Sequence, residues 1–347
     1  MKGMTEGETL SEDALTDKVA AIFVKAGLSA DQARAVARVI AAGERDGAKA
    51  HGVYRIEGCL DTIRAGKVST TAVPTVQDDG SPVLRVSAGG GFAQLALELG
   101  LPMLADRARR FGVAALVIND AAHFSALWYE VEALAADGIA ALAMCPSYST
   151  VAPAGGKEPL LGTNPIAFAW PRIDRPPYVF DFATSVAARG EIELHRRAGT
   201  PIPEGWAVDA DGTPTTDPDA ALAGAMLPFG GHKGSALSTM IELMAAALIG
   251  DKTSREALDG IGVTSLVPTH GELILAFDPA RFAAGRESDP FEHAETIFEA
   301  ILGQGARLPS ERRFAARERA MTQGIALTAA EMDQLRQWQA TGANPEV

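Results

Sequence analysis

The octapeptide SAGGGFAQ, residues 87–94, sets three consecutive glycines between a β-like apolar run, PVLRVS (82–87), and a helical pattern from Phe92 to Arg110. A doubly wound dinucleotide-binding unit would place Gly-x-Gly-x-x-Gly at such a strand-to-helix turn, with an acidic residue about 20 positions later. The glycines are present here, but their spacing is wrong, and no other stretch carries the fingerprint. The P-loop, His-Glu-x-x-His, Gly-x-Ser-x-Gly and paired Cys-x-x-Cys patterns are absent as well, which sets aside the common nucleotide hydrolases, zinc proteases and serine hydrolases.

Outward from this turn, the chain divides by pattern. Residues from Leu10 to about Ala65 have helical periodicity, with Ser29 as an expected N-cap. The short strands VPTV (73–76), PVLRVS and VAALVIN (113–119) follow, around the Phe92–Arg110 helix. Between Ala122 and Pro279 come IAALAMC, PIAFAW, YVFDFA and ELILAFD, interrupted by Gly/Pro-rich connections such as 199–218 and by the helix GSALSTMIELMAAALIG (234–250). Helical patterns return after Asp289. The expected organisation is a mixed N-terminal part over 1–119, a cofactor-sized domain over 120–285, and C-terminal helices over 286–347 that pack back on the start.

With 347 residues, 47% of them hydrophobic and 22% charged, the chain has the composition of an enzyme-sized globular protein. Its formal charge of -13, from 31 basic and 44 acidic residues, disfavours nucleic acid and anionic membranes as partners. The opening MKGMTEGETLSED lacks the apolar centre of a signal peptide, and runs such as ALAADGIAALAMC are too short or too interrupted to span a bilayer. A cytoplasmic location is expected. The 2 cysteines, Cys59 and Cys145, form no metal-spaced pair, so neither a disulfide nor a metal is expected.

Four stretches carry candidate chemistry. In DGAKAHGVYRIEGCL (46–60), His51 and Arg55 share one face if the stretch is helical, with Cys59 one turn further on. A histidine can exchange a proton near neutral pH and an arginine offers a planar fork to a carboxylate, although an idle solvated pair has the same spacing. In NDAAHFSALWYEVEAL (119–134), His123 stands where a strand gives way to a helix, near freed amides, as a capping or core histidine would too. LPFGGHKGSALS (227–238) brings Gly230, Gly231 and Lys233 to the start of a long apolar helix, which suits a phosphate or simply a Gly-rich helix start. GARLPSERR (305–313) clusters Arg307, Arg312 and Arg313 in an acidic chain, suited to a 2′-phosphate or to a solvated charge run. In addition, LLGTNP forms a polar turn at Thr163 and Asn164. Asp181 in VFDFATS sits inside an apolar strand and needs a partner.

Taken in order, His-Gly-x-x-Arg, the His-Phe turn, LLGTNPIAFAWP, VFDFATS and PFGGHKGSALS resemble the malate/L-lactate dehydrogenase family of non-Rossmann NAD(P)-dependent oxidoreductases, from about Leu10 to Gly324. The stretches at 46–60, 122–135, 226–238 and RLPSERR are most similar to its Δ1-piperideine-2-carboxylate/Δ1-pyrroline-2-carboxylate reductase branch. The resemblance implies an α/β (α+β) fold whose NAD(P)-binding domain has a largely antiparallel sheet, with a helical domain built from both chain ends, in a homodimer. It also implies NADPH-dependent reduction of cyclic ketimines to L-proline or L-pipecolate, with NADH left open as cofactor. By the same resemblance His51 is the proton donor, Arg55 holds the substrate carboxylate and Thr163 lies on the substrate side. His123, Phe124, Ser125, Ala126, Leu127, Asp181, Phe182, Ala183, His232, Lys233, Arg307, Arg312 and Arg313 contact the cofactor.

Two positions depart from the family pattern. Ala50 stands where the family has Ser and Cys59 where it has Tyr, while Glu191 occupies the usual Asp position of the His relay. A missing hydroxyl of this kind costs about 10²-fold in rate unless water replaces it. A protonated C=N⁺ is already electrophilic, whereas a ketone needs the proton donor more, so the departure favours an imine. A 2-hydroxyacid dehydrogenase of the malate, lactate or ureidoglycolate type and a catalytically impaired binding protein are the alternatives.

Overall fold

The structure is a computed structural model in which residues 7–342 are described. Residues 1–6, part of the opening read as leaderless, and 343–347 lie outside the described residues.

The chain begins with β1 (Glu8–Leu10), α1 (Glu12–Lys25), α2 (Ala30–Arg45), a 3-10 turn at Lys49–His51 and α3 (Arg55–Arg64). Next come β2 (Thr75–Gln77), β3 (Val83–Ser87), α4 (Ala93–Phe111), β4 (Val113–Ala122), α5 (Trp128–Ala136), β5 (Ala140–Met144), β6 (Ile166–Trp170) and β7 (Tyr178–Phe182). A small excursion contains α6 (Arg189–Ala198), β8 (Ala207–Val208), β9 (Pro214–Thr215), α7 (Pro218–Ala223) and β10 (Ala225–Met226). The remainder is α8 (His232–Glu242) with a π-turn continuation, α9 (Ser254–Ile261), β11 (Thr269–Phe277), α10 (Pro279–Phe282), α11 (Pro290–Leu302), α12 (Glu311–Gln323), β12 (Ile325–Leu327) and α13 (Ala329–Thr341).

The main sheet has 7 strands in the order β2-β3-β4-β11-β5-β6-β7. Only β3 and β4 pair in parallel, joined by α4 as a parallel pair requires; the other neighbours are antiparallel. The sheet is therefore largely antiparallel, as the family resemblance implies. β4 runs across residue 119, so strands from both sides of that position share one sheet.

The glycines of SAGGGFAQ form a tight turn into α4. Gly89 and Gly90 have φ of 60° and 79°, which glycine adopts at no steric cost. A Cβ on Gly91 would stand 2.7 Å from Gln32 Oε1, so this turn is packed against α2.

One face of the sheet is covered by α4 and α5 through Leu97, Leu104, Leu116, Ile118, Val131 and Leu134. The other is covered by α8 and its continuation through Ile241, Ala245 and Ile249. The two chain ends meet: β1 pairs antiparallel with β12, and Leu15, Val19 and Phe23 share a core with Leu327, Leu335 and Trp338. Each such enclosed side chain contributes about 1.5–3 kcal/mol relative to leaving it in water. Ser29 caps α2 by accepting from Gln32 N–H, as its sequence position predicts. Among the described residues no helix is long and apolar enough to cross a membrane.

Candidate active site

His51 and Arg55 do not share a helix, contrary to the expectation from their spacing. His51 closes the 3-10 turn and Arg55 opens α3. The cause is Glu44, whose buried carboxylate accepts from Val53 N–H at 2.9 Å and from Lys49. A Cβ on Gly52 would meet Glu44 Oε2 at 1.9 Å, so the chain folds around this acid and helical periodicity is broken. Arg55 Nε donates to the Ala50 carbonyl at 2.7 Å, and no carboxylate pairs with this guanidinium among the described residues.

The His51 Nδ1 is buried without a hydrogen-bond partner. Burial first, then the Arg55 charge, push its pKa down to about 3; the Phe124 backbone opposes the shift and His123 adds to it. The imidazole is therefore neutral at physiological pH and lies close to Arg55, Phe124 and His123. Tyr148, absent from the sequence candidates, donates to the Leu266 carbonyl at 2.7 Å. Burial raises its phenol to about 12, with Arg55 and Arg189 acting against burial. Burial also raises the Cys59 thiol, so this cysteine is a core residue.

The segment from His123 to Leu127 follows an irregularity in β4. The β4/β11 register shifts between His270 and Glu272, opposite Asp120 at φ 54°. Such bulges re-aim the residues that follow. His123 N–H then donates to the Pro268 carbonyl at 3.0 Å. Phe124 packs edge-on against Phe92, with centroids 6.0 Å apart, and Ser125 Oγ accepts from Gln94 at 3.2 Å. Of this segment's five side chains, only that of Ala126 is partly exposed.

Beneath the segment lies a buried polar cluster. His123 Nε2 approaches Glu272 Oε2 at 3.2 Å, and its Nδ1 lies 4.0 Å from Cys145 Sγ. The His123 and His270 rings are 5.4 Å apart. Burial and then neighbouring acids raise Glu130 well above its ordinary range, and burial with Asp181 brings Glu272 to about 8. Burial pushes His123 and His270 down to about 4. His123 with Cys145 and His270, or with Glu130 and Glu272, could each present three ligand atoms to a cation. Sequence reasoning missed Glu130, Cys145 and Glu272 as members of this cluster; the available signal was the acid heading the apolar strand ELILAFD.

The expected cofactor segments come together around a second feature. Trp128 N–H donates to Asp181 Oδ2 at 2.9 Å, joining α5 to β7. Burial raises Asp181 to about 6, opposed by the Trp128 backbone and the Arg313 charge. A cavity of about 480 Å³ is lined by Tyr178, Phe180, Asp181, Phe182, Pro309 and Ser310. Phe182 contacts Phe229 at 5.8 Å between centroids, and Phe229 N–H donates to the Thr184 carbonyl at 3.0 Å. The start of α8 is thereby set beside the strand carrying Asp181 and Phe182 and the half-buried Ala183 that follows it. There Gly230 and Gly231 adopt φ of 57° and 61°, and His232 and Lys233 are exposed. The Thr163 carbonyl accepts from Thr184 N–H at 2.8 Å, and Asn164 is fully enclosed.

Arg307 and Arg312 are exposed, but Arg313 is not a free cation. It bonds Asp46 at 2.9 Å and Glu132 at 2.5 Å, and lies 4.2 Å over the Trp128 ring. Glu191 is exposed near the start of α6, where its carboxylate accepts from Ala188 N–H at 3.0 Å; no hydrogen bond joins it to His51. Another cavity, about 500 Å³ and walled by Phe168, Trp170, Phe277 and Phe282, contains none of the candidate residues.

The sequence pattern of the malate/L-lactate dehydrogenase family matches residues 10–336. A Δ1-pyrroline-2-carboxylate reductase of Agrobacterium fabrum is 67% identical, the match covering 95% of this chain and 96% of the relative. A Δ1-pyrroline-2-carboxylate/Δ1-piperideine-2-carboxylate reductase of Pseudomonas aeruginosa is 53% identical over 91% of this chain and 94% of its own. The crystal structure of a Δ1-piperideine-2-carboxylate reductase from Pseudomonas syringae superposes with a TM-score of 0.91 at 42% identity, covering 95% of this chain and 99% of that one. The chain thus belongs to the malate/L-lactate dehydrogenase family and is an oxidoreductase.

Proposed function

We propose that this oxidoreductase reduces cyclic ketimine acids, Δ1-pyrroline-2-carboxylate to L-proline and Δ1-piperideine-2-carboxylate to L-pipecolate, using NADPH. The observation that carries the reading is a neutral His51 beside an arginine without a carboxylate partner. The Arg55 fork takes the substrate carboxylate, and His51 faces the ring nitrogen. An imidazole held neutral is a poor acid for a ketone, whose oxygen gains full charge during reduction. It suits an imine that arrives protonated, because it can accept the N–H and orient the ring; His51 then acts as an acceptor and not as the proton donor that the resemblance implies. A carboxylate on Arg55 also offsets the charge that helps depress His51, moving its pKa back toward neutrality.

The dinucleotide, when bound, supplies a hydride to C2 of the substrate. The residues present fit such a group: the aromatic cavity at Asp181 and Phe182 adjoins the Gly230–Gly231 turn with its exposed Lys233, while Arg307 and Arg312 lack ion-pair partners among the described residues. These arginines support NADPH over NADH, because a 2′-phosphate pairs well with guanidinium. The same reading includes a cytoplasmic homodimer, and a sheet-based cofactor domain beside a helical domain made by both chain ends.

The test is oxidation of NADPH, and separately NADH, with the two ketimines, pyruvate and oxaloacetate, alongside His51→Ala. Ketimine turnover that disappears in the variant supports the proposal. Turnover of 2-oxo acids alone refutes it, and an inactive wild type that gains activity only on Ala50→Ser identifies a catalytically impaired homologue.

A further inference from the structure

Tyr148 has no part in the chemistry described so far, and its position is fixed from both ends. Its phenol donates to the Leu266 carbonyl at 2.7 Å, and its own carbonyl accepts from the Thr150 hydroxyl at 3.3 Å. The residues on either side of it both bond Ser254, the first residue of α9: Ser147 N–H donates to the Ser254 hydroxyl oxygen at 3.2 Å, and Ser149 N–H to the Ser254 carbonyl at 3.0 Å. Ser254 is fully enclosed; its hydroxyl donates to Asn164 Oδ1 at 2.9 Å and its N–H to Glu242 at 3.0 Å. Glu242, at the end of α8, also accepts from Asn164 Nδ2 at 2.8 Å. A Cβ on Gly162 would stand 2.6 Å from the Ser254 hydroxyl and 2.9 Å from Ser147 N, so the chain closes around this knot without spare room. An enclosed hydroxyl that both donates and accepts holds its neighbours to a narrow geometry, because moving it strands a donor and an acceptor.

The phenol end leads to the reaction centre. Leu266 lies between two residues that pack on α3: the Ser265 carbonyl comes within 3.4 Å of where a Cβ on Gly58 would sit, and Val267 N–H donates to Thr62 Oγ1 at 2.8 Å. Gly58 and Thr62 follow Arg55 by one and two turns of α3, so the three share one face of that helix. The Tyr148 phenol is therefore bonded to a segment that runs along the Arg55 face, and the Arg55 charge reaches it. The tyrosine itself is half-buried, with its hydroxyl proton already committed.

We propose that Tyr148 is a specificity-determining residue: its ring, fixed by Leu266 and Ser254, is the wall against which the carbon ring of an Arg55-bound acid packs, and it sets the ring size that the enzyme accepts. The identity of that acid rests on the ketimine-reductase reading. Such a substrate presents a carboxylate on one side and CH₂ groups on the other. Arginine recognises the first, and an aromatic face whose hydroxyl is already satisfied suits the second. The two ketimines differ by a single methylene, and a methylene against a rigid apolar wall is worth about 10- to 200-fold in kcat/KM. A wall free to shift discriminates less, and the bonds to Ser254 are what keep this one still.

The full chain is compared with Tyr148→Phe, Tyr148→Leu, Tyr148→Ala and Ser254→Ala. The readout is the ratio of kcat/KM for Δ1-piperideine-2-carboxylate to that for Δ1-pyrroline-2-carboxylate. Tyr148→Phe keeps the wall and should hold this ratio within about 3-fold. Tyr148→Leu and Tyr148→Ala open the wall and should raise the ratio about 10-fold or more, with KM for NADPH changed less than about 2-fold. Ser254→Ala loosens the support without touching the ring and should raise the ratio about 3-fold or more. If the alanine variant of Tyr148 fails to fold, the leucine variant decides.

A ratio that stays within about 3-fold of wild type in Tyr148→Leu overturns the inference even if both rates fall, because a merely structural tyrosine would depress the two substrates alike. A shift in Tyr148→Phe as large as in Tyr148→Leu overturns it too, since the hydroxyl and not the ring would then discriminate. An unmoved ratio in Ser254→Ala overturns the part assigned to Ser254. A wild type that reduces only 2-oxo acids defeats the functional reading, and the same variants then decide the wall by the ratio of 2-oxobutanoate to pyruvate, which also differ by one methylene. A wild type that reduces neither kind defeats both.

Discussion

Arg55 Nε donates to the carbonyl of Ala50 at 2.7 Å, so the residue that lacks the family's hydroxyl still anchors the guanidinium through its backbone. The bond fixes the plane of the fork while leaving its terminal nitrogens to a ligand. Lysine keeps the charge but has neither the plane nor the Nε–H. Arg55→Lys is therefore expected to raise KM for the ketimine acid about 10- to 100-fold with little change in thermal midpoint. A KM within about 2-fold of wild type would show that the carboxylate binds elsewhere.

Cofactor preference provides a separate check. Lys233, Arg307 and Arg312 are exposed, while Arg313 is held by Asp46 and Glu132. Replacing Arg307 and Arg312 together by alanine should raise KM for NADPH about 10-fold or more and leave NADH use nearly unchanged. Arg313→Ala should instead lower stability, because it leaves two acids short of a partner. Equal loss with both cofactors in the double variant would place the 2′-phosphate away from these arginines.

Much of this was legible in the sequence because it depends on local chemistry. The strands are short apolar runs bounded by glycine and proline, and the wrong glycine spacing correctly excluded the doubly wound fold. In the structure Trp128 N–H bonds Asp181, Phe182 packs on Phe229, and Pro309 and Ser310 line the cavity at Asp181, so these stretches, far apart in sequence, meet. The misreadings involve partners that periodicity does not report. Helical spacing at His51 and Arg55 gave way to a turn built around Glu44, and the partners of Arg313 lie 267 and 181 positions away. Glu272 read as the start of a strand because nothing nearby in sequence shows that His123 faces it.

Asp46 has a larger structural role than its place before the candidate histidine suggests. Its side chain is fully enclosed and bonds Arg45 at 2.7 Å, Arg313 at 2.9 Å and Arg317 at 2.5 Å. Burial alone would raise its pKa, but the bonds from Arg317 and Arg45 outweigh burial and hold it below the usual range. Asp46→Asn leaves three guanidiniums short of a counter-charge and is expected to cost about 3–5 kcal/mol in denaturant unfolding. A loss below about 1 kcal/mol would mean that Glu132 and Glu12 carry these arginines unaided.

Stability should also respond to pH in opposite senses on either side of neutrality. Burial and Asp181 place Glu272 at about 8 in the folded chain, and burial with Glu272 raises Glu130 in the same direction. An exposed glutamate titrates at about 4.3, so the folded state binds these protons more tightly; their contribution is full below that value and is lost as pH rises through the folded value. The buried histidines act in reverse. Burial depresses His51 to about 3 and His123 and His270 to about 4, so their contribution is present above the ordinary value and lost as pH falls through the folded values. Thermal unfolding followed from about pH 5 to about pH 9 should therefore give its highest midpoint near about pH 6.5, with the alkaline fall reduced in Glu272→Gln. A midpoint that is flat above neutrality in the wild type would show that the buried acids are already ionised there, and that a counter-charge other than a proton sits among them.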